Sequence, residues 1–468
     1  MKRELHTTGI NTDGQQDVTA LLQKKIDEAA ENDSRLVIDA GRYLVSSLFL
    51  KNNSDIVLSE GAVLVATTDE SRYPLIPTRV AGIEMDWYPA VINVVDATQV
   101  SVSGAGCIEG NGPYWWNKYW GEDGTGGMRK EYDAKGLRWA CDYDCIRVRG
   151  VCVYRSSDVS LSGFTVHDAG FWNVHICYSS NVVADGLKIR SGAEFSPSTD
   201  GIDIDSSCDV VVKNCETHCN DDSICIKSGR DTDGMRVGIP CERITIENCH
   251  IYDGFGITIG SELSGGIQDI VIRDCDFHGT ECGFRVKSSR PRCGFIRRLL
   301  ATRLTMENVH YPVHICLNWN PAYCYCELPT EAQCQTTGTV DCTAGVIPVH
   351  YAKLLAKVDN VQDYAKICGW SGADCERVKK AGRNLTYMED VCLSEITATY
   401  AKDFNGDACG FYIEGYEDAP LRGITFENVT MKVPGIAGEC VSAEVSQINC
   451  DITGSESRRS EAGDFDKR

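Results

Sequence analysis

The sequence predicts an all-β protein in which short parallel strands stack into a coil, the architecture called a parallel β-helix. A pattern of the form apolar-x-apolar-x-Ser recurs, with the first residues of successive copies 22, 33 and 27 positions apart. Strands at this spacing, without long amphipathic helices between them, exclude βαβ units, which need helical crossovers. They predict a coil around one continuous core. The four copies are Ile202–Ser206, Ile224–Ser228, Ile257–Ser261 and Phe284–Ser288.

A second strand pattern lies between these copies and carries a small or sulfur-containing residue near its end. Two strand columns are therefore predicted in each coil, with neighbouring coils about 4.8 Å apart. An earlier segment, Val174–Ile176, fits the first column less well. The copies of the second pattern are Val159–Gly163, Val182–Gly186, Val210–Cys215, Ile244–Cys249 and Ile270–Cys275.

The N-terminal region fits a cap and the first coils. Residues Val18 to Ala30 have the apolar periodicity of an amphipathic helix, which would cover the open end of the coil and protect its unpaired edges. One catalytic domain is predicted over residues 1–453, followed by a polar tail, 454–468, that is expected to be disordered. Further strands are predicted at Leu36–Ile38, Tyr43–Leu50, Ile56–Val65, Phe411–Ile413 and Ile424–Val429.

Two long excursions interrupt the repeat, at residues 111–143 and 317–390. The first is rich in glycine and aromatic residues, and the second holds many cysteines and aromatic residues. Long excursions from a solenoid usually lie on one face and often build the binding site. The alternative is that they only shield the side of the coil, and the sequence does not decide between the two.

Composition limits the partners. The formal charge is −21 and the isoelectric point is about 4.9, which argues against nucleic acid or an anionic membrane as partner. The N-terminus lacks a signal-peptide pattern and no apolar run approaches membrane-spanning length, so a cytoplasmic location is expected. The oligomeric state is not predicted.

The chain has 25 cysteines, an odd number, and many of them lie inside strand patterns. We interpret them as small buried apolar residues in a reducing compartment rather than as disulfides. Their spacing does not form the paired knuckles of a zinc site, so neither a metal nor a cofactor is expected.

Three carboxylates are expected to converge. Asp200 precedes Ile202 by two residues and Asp222 precedes Ile224 by two, so both occupy one column on adjacent coils, with Asp221 beside them. Crowded negative charges raise the pKa of at least one member, which yields the protonated acid and the ionised carboxylate that a glycosidase needs. If inward-facing and outward-facing residues alternate strictly, the side chains of Asp200 and Asp222 would point inward unless the turn redirects them. Aspartates at solenoid turns can also serve only to bond the backbone.

Cations are expected on the same face. Arg285 and Lys287 are two residues apart in their strand, so their side chains lie on the same face. Both are expected to point outward and could bind a sugar carboxylate. For Lys227 a surface ion pair with Asp205 is favoured over a role in binding.

Two further residues are weaker candidates for contact with substrate. They are Glu262 and Trp172, and Trp172 could equally be part of the core.

Taken together, these motifs resemble glycoside hydrolase family 28, the polygalacturonase family, and especially its bacterial exo-acting branch. The resemblance extends from Gly9 to about Val433. Its motifs are Asp39–Leu44, Gly61–Ala62, Thr199–Ile204, Asn220–Ser223, Lys227–Gly229 and Arg285–Lys287.

The resemblance implies a right-handed parallel β-helix of the pectin-lyase-like type and metal-independent, inverting hydrolysis of α-linked galacturonides. It implies that Asp221 is the general acid and that Asp200 and Asp222 activate water. It also implies that Arg285 and Lys287 contact the substrate, which would be an oligosaccharide cleaved from its end.

One family motif is broken, because Gly254-Phe255-Gly256 stands where the family has Gly-His-Gly. Phe255 therefore suggests a different or less polar sugar, such as a rhamnogalacturonan fragment or an uncharged plant glycoside. A carbohydrate-binding β-helix without catalysis is a further alternative, and a calcium-dependent lyase is less favoured.

Overall fold

The computed structural model describes residues 2–134, 138–192, 196–320, 371–382, 385–404 and 406–456, with the backbone of three short strands between residues 333 and 348. The described chain forms a right-handed parallel β-helix, which confirms the predicted fold. Three parallel sheets run along the coil, one more than the sequence predicted. We call them the site sheet, the second sheet and the third sheet, in the order in which one coil passes through them.

The site sheet contains the predicted first column in the predicted register. Ile202 pairs with Ile224, and Ile257 pairs with Phe284. Val174 pairs with Ile202, so the segment that fits the pattern less well belongs to the same column. The strands of this sheet are Leu48–Leu50, Ile92–Val95, Val151–Tyr154, Val174–Cys177, Ile202–Asp205, Ile224–Lys227, Ile257–Gly260, Cys282–Lys287, Tyr311–Cys316, Phe411–Glu414 and Glu439–Val441.

The second sheet contains the predicted second column, in which Val159, Val182, Val210, Ile244 and Ile270 pair in succession. Its strands are Arg3–His6, Ser34–Ile38, Asp55–Leu58, Thr98–Gly104, Ser157–Ser162, Ser180–Asp185, Cys208–Lys213, Cys241–Glu247, Ile267–His278, Phe295–Glu307, Tyr387–Thr399, Leu421–Glu427 and Ala443–Ile448. Ile267–His278, Phe295–Glu307 and Tyr387–Thr399 continue into the third sheet.

The third sheet was not predicted, because most of its strands in the middle of the chain have only three residues. A left-handed residue marks the corner before them, as at Asn214 and Asn248, with φ of 55° and 52°. The Asn248 amide also donates to the Asn214 side chain across coils, at 2.6 Å. Strands confined to this sheet are Asp13–Asp17, Gly41–Val45, Ala62–Ala66, Cys107–Glu109, Thr165–His167, Lys188–Arg190, Glu216–His218, His250–Tyr252, Thr430–Ile436 and Asp451–Glu456.

Apolar residues from all three sheets fill the core. Cys215, Cys249 and Cys275 lie buried in it one above another, as expected for cysteines that act as small apolar residues. The last strand continues to Glu456, so residues 454–456, predicted to belong to the polar tail, form the end of this strand. Residues 457–468 lie outside the described residues.

Helices and a hairpin lie outside the three parallel sheets of the coil. Residues Ile76–Val80 and Ile83–Trp87 form an antiparallel hairpin. The 317–390 excursion lies largely outside the described residues. The helices are Thr19–Glu31, Gly112–Trp120, Gly127–Ala134, Arg138–Asp144, Asp231–Val237 and Gly372–Ala381, with short 3₁₀ turns at Glu70–Arg72 and Arg290–Arg292 and an antiparallel sheet of Gln333–Cys334, Thr339–Cys342 and Gly345–Pro348.

The predicted cap is present as the helix Thr19–Glu31, which buries Leu22, Ile26 and Ala29 against the first coils. Leu21 falls outside this face and is 54% exposed. Within the described residues, no helix combines the length and apolar character needed to cross a bilayer.

Replacing Leu22 by Ala should lower the free energy of unfolding by about 2–5 kcal/mol, because its fully buried side chain would leave a cavity at the end of the core. Leu21→Ala, one residue earlier in the same helix, should change it by less than about 0.5 kcal/mol. Urea unfolding of the two variants measures both effects. Equal losses would show that the helix does not cap the core as described.

Candidate active site

A cavity with a solvent-accessible volume of about 160 Å³ opens on the outer face of the site sheet. Every predicted site residue except Asp222 lines it, and Asp222 lies directly behind its wall. The lining residues are Ala81, Arg129, Arg138, Asp142, Phe171, Trp172, Ser198, Asp200, Asp221, Lys227, Phe255, Ser261, Glu262, Arg285, Lys287, Trp319 and Asn320.

Backbone pairing between coils sets the carboxylates in place. The Asn173 N–H donates to the Asp200 carbonyl and the Gly201 N–H to the Asp222 carbonyl, both at 2.9 Å, so Asp200 and Asp222 share a column as predicted. Their side chains contact outward residues: the Asp200 carboxylate lies 3.5 Å from the Lys227 ammonium. The turns before the strands have therefore redirected both groups away from the core.

The Asp222 carboxylate is fully buried and held from several sides. Its Oδ2 lies 2.7 Å from the Lys287 ammonium, and its Oδ1 accepts a hydrogen bond of 2.7 Å from the Thr258 hydroxyl. Arg285 Nη1 is 3.6 Å from Oδ1, and the Cys225 thiol donates to Oδ2 at 3.5 Å. Burial alone would raise the pKa of Asp222, but the nearby Lys and Arg charges outweigh it and lower the pKa to about 2.

The other two aspartates have the opposite shift. Burial, followed by the negative charge of Asp222, raises the pKa of Asp221, whose partly exposed side chain lines the cavity. Burial, followed by the charge of Asp221, raises the pKa of Asp200. Among these three aspartates, one is held in the ionised form beside two that favour the proton, as the crowding argument predicted.

Lys227 joins the acids of the cavity. Its ammonium lies 3.5 Å from Asp200, 3.6 Å from Asp203 and 3.3 Å from Glu262. Burial opposes the charge of Lys227, yet the Cys225 thiol and the surrounding carboxyl groups raise its pKa well above the ordinary value.

The predicted surface ion pair between Lys227 and Asp205 is wrong. Asp205 is fully buried and pairs with Arg79 at 3.1 Å. The reason is the hairpin that carries Arg79, which covers this part of the sheet and turns an outward position into a buried one.

Glu262 and Trp172 both belong to the cavity. Burial would raise the pKa of Glu262, but Lys227, Arg292 and Arg230 lower it to about 2. The Trp172 ring lies 4.9 Å from the Lys227 ammonium and stacks on Phe171, so it supports the cavity wall rather than the core of the coil.

His250 does not replace the missing family histidine, and the histidine beside Arg285 in the site sheet is His314, on the next strand. His250 lies on the third sheet, where its Nδ1 is 2.6 Å from Asp276. Phe255 instead places its ring 4.5 Å from Cζ of Arg285. The cavity of this chain is therefore built with an apolar ring at that position.

Several residues of the site were missed by sequence reasoning. Asp203 and Thr258 were visible in the outward columns, but nothing in the pattern showed that they contact charged neighbours. The hairpin has a signal of its own, an alternating strand on each side of Ala81-Gly82. Arg129 and Arg138 lie on helices of the first excursion, whose role the sequence left open.

Three clusters in the described chain have enough ligand atoms for a metal ion. Two of these clusters already have a positive side chain in contact with one of their carboxylates. Lys287 contacts Asp222, and Arg79 contacts Asp205. A divalent cation there would have to displace these cations, which disfavours it. The third cluster, Glu109, His167 and Asp168, lies on the third sheet away from the cavity.

Comparison with known proteins agrees with this geometry. The model of the family described as "Glycosyl hydrolases family 28" matches residues 78–409. A probable polygalacturonase of Vitis vinifera is 29% identical over 310 residues, 64% of this chain and 58% of that relative. An exo-poly-alpha-D-galacturonosidase of Dickeya chrysanthemi is 22% identical over 391 residues, 76% of this chain and 61% of the relative. This chain thus spans less than two thirds of the length of these relatives.

Among solved structures, an exopolygalacturonase from Thermotoga maritima superimposes with a TM-score of 0.71 and 23% identity, covering 96% of this chain and 92% of that one. At this level of identity, the likeness supports the right-handed parallel β-helix.

Thr258→Val should destabilise the protein by about 1.5–3 kcal/mol at neutral pH, because the buried Asp222 carboxylate loses a hydrogen bond. The pKa of Asp222 is depressed by folding, so its contribution is complete above its ordinary pKa and is lost as the pH falls toward about 2. Urea unfolding over this pH range should show the gap between variant and parent narrowing at low pH. Thr258→Ser, which keeps the hydroxyl, is the matched control, and a gap independent of pH would contradict the contact with Asp222.

Proposed function

This chain belongs to glycosyl hydrolase family 28, and we propose that it is an inverting, exo-acting hydrolase of α-linked galacturonate-containing oligosaccharides. The observation that carries the proposal is that one cavity is lined by Asp200 and Asp221 together with Arg285 and Lys287. Membership of the exo-acting branch is part of the same proposal. The reaction needs no metal ion or cofactor.

The proposed chemistry follows from the different protonation states of Asp221 and Asp222. Asp221, whose pKa is raised, donates its proton to the glycosidic oxygen as the bond to the anomeric carbon breaks. Asp222, which stays ionised, accepts a proton from the water that attacks the opposite face of that carbon. Oxygens of Asp200 and Asp222 lie within 4.8 Å of each other, a separation that one water can span, and Asp200 lines the cavity in front of the buried Asp222. Attack from the opposite face inverts the anomeric configuration.

The cations of the cavity support an anionic sugar as substrate. Arg285 and Lys287 line it from one strand, and Arg129 and Arg138 line it from the first excursion. With a net charge of −21, the protein repels polyanions at a distance, so these local cations must provide the attraction. A uronate carboxylate between them would form charge-assisted hydrogen bonds, with arginine able to bind it through two parallel contacts.

The walls of the cavity support action at a chain end. Ala81, at the tip of the hairpin, stands at the cavity edge and its carbonyl accepts a hydrogen bond of 2.8 Å from Tyr143. Arg230 donates to the same Tyr143 hydroxyl at 2.9 Å. Three separate segments are thus tied together on one side of the cavity, where a barrier would stop a polysaccharide from passing through and would admit only its terminal sugar.

Asp221→Asn should lower kcat by about two to four orders of magnitude on oligogalacturonides, because the amide cannot protonate the leaving oxygen. Asp209→Asn is the matched control, since that aspartate is exposed on the second sheet and pairs with Arg243. Steady-state rates of reducing-sugar release compare the two. Near-normal turnover by Asp221→Asn would remove the assignment of the acid.

Digestion of a defined galacturonate hexamer should release the shortest products from the first minutes, with the β anomer formed initially from the α linkage. Chromatography follows product length and proton NMR follows the anomer. Each cut from the end yields the terminal unit and a chain shortened by it, so mid-length products formed without the terminal unit would rule out exo action, and an initial α anomer would rule out inversion. Turnover of neutral glycosides but not galacturonides would show that the substrate is wrong.

A further inference from the structure

Phe255 occupies the position of the family histidine, and its ring faces an arginine. Cζ of Arg285 lies 4.5 Å from the ring centroid of Phe255 and 5.9 Å from that of Trp319. The Lys287 ammonium lies 4.8 Å from the same Trp319 ring. Two aromatic rings therefore contact two of the cations that line the cavity, Arg285 and Lys287.

We infer that Phe255 determines specificity by positioning Arg285 for a substrate carboxylate. This inference rests on the proposed function and deepens it, since it names the free carboxylate of a uronate as the group that the site selects. Phe255 is a positioning residue, which acts through Arg285.

The orientation of Arg285 is set by two different contacts. Cζ of the Arg285 guanidinium lies over the Phe255 ring, and its Nη1 lies 3.6 Å from the Asp222 carboxylate. Stacking on a ring restrains the plane of a guanidinium and leaves its N–H edges available for bidentate bonding. Because the Arg285 side chain is only 6% exposed, little water competes for this contact.

An apolar ring is also chemically suited to this place. An imidazole at position 255 would add a titratable group beside Arg285, which already has His314 next to it on the paired strand, and would repel Arg285 when protonated. The phenyl ring carries no charge at any pH and does not compete for the substrate carboxylate. The sequence alone suggested a less polar sugar for this chain, whereas the contact with Arg285 favours a charged one.

Side-chain variants of Phe255 can separate this role from catalysis. The Phe255 N–H donates to the Asp221 carbonyl at 3.1 Å, and this backbone bond does not depend on the side chain. Replacing the ring should therefore weaken carboxylate recognition while the segment that carries the acid stays in place.

The test compares a galacturonate trimer with its fully methyl-esterified form, which has the same shape but no carboxylates. For Phe255→Leu, kcat/KM on the acid should fall about three- to thirtyfold, mainly through KM, with little change on the ester. Phe255→Tyr, which keeps the ring, should retain the preference for the acid. Phe255→Met repeats the loss of the ring with an unbranched side chain in case the Leu variant does not fold.

Phe295→Leu is the matched control, because Arg297 lies 4.6 Å from that ring on the second sheet, away from the cavity. It should leave the acid-to-ester ratio unchanged. Equal losses on acid and ester, or an unchanged ratio in both Leu and Met variants, would overturn the role of Phe255. A parent enzyme that hydrolyses neither trimer would overturn the proposed substrate and this inference with it. Equal parental rates on acid and ester, or parental preference for the acid with an unchanged variant ratio, would overturn the inference alone.

Discussion

In-register pairing of parallel strands between neighbouring coils is the constraint on which the site depends. Asp200 and Asp222 become neighbours because Ile202 pairs with Ile224, and Arg285 lies beside Thr258 because their strands pair in the same way. A slip of one residue would turn every side chain of a strand to the other face. The apolar core prevents this slip, since buried isoleucines in each coil would then face solvent. Core packing therefore determines the geometry of the polar face.

Burying several carboxylates together is unfavourable unless positive charges lie beside them. Lys227 contacts Asp200, Asp203 and Glu262, while Lys287 contacts Asp222. An unpaired buried charge would either destabilise the fold or take up a proton. Because a cation lies closer to Asp222 than to Asp200 or Asp203, Asp222 stays ionised while the pKa values of Asp200 and Asp203 are raised; Glu262 is also held ionised by the cations around it. This division arises without a histidine, so the change at Phe255 leaves the acid and the base intact.

The sequence predicted most of the coil and the cluster of three aspartates, because strand repeats and period-two alternation are local signals. Corner strands of three residues, such as His250–Tyr252, are too short to show a period, so the third sheet was missed. Partners that come from distant segments were also missed. Arg79 lies 126 residues before Asp205, and no local pattern could show that a hairpin would cover that aspartate. Composition likewise could not show that Phe255 contacts an arginine.

The most direct test is a crystal structure of the Asp221→Asn variant with a galacturonate trimer bound. The account predicts that a uronate carboxylate contacts Arg285 or Lys287, with a glycosidic oxygen facing residue 221 and a water between that sugar and Asp222. A trimer bound elsewhere on the coil, or one whose glycosidic oxygens all lie away from residue 221, would contradict it.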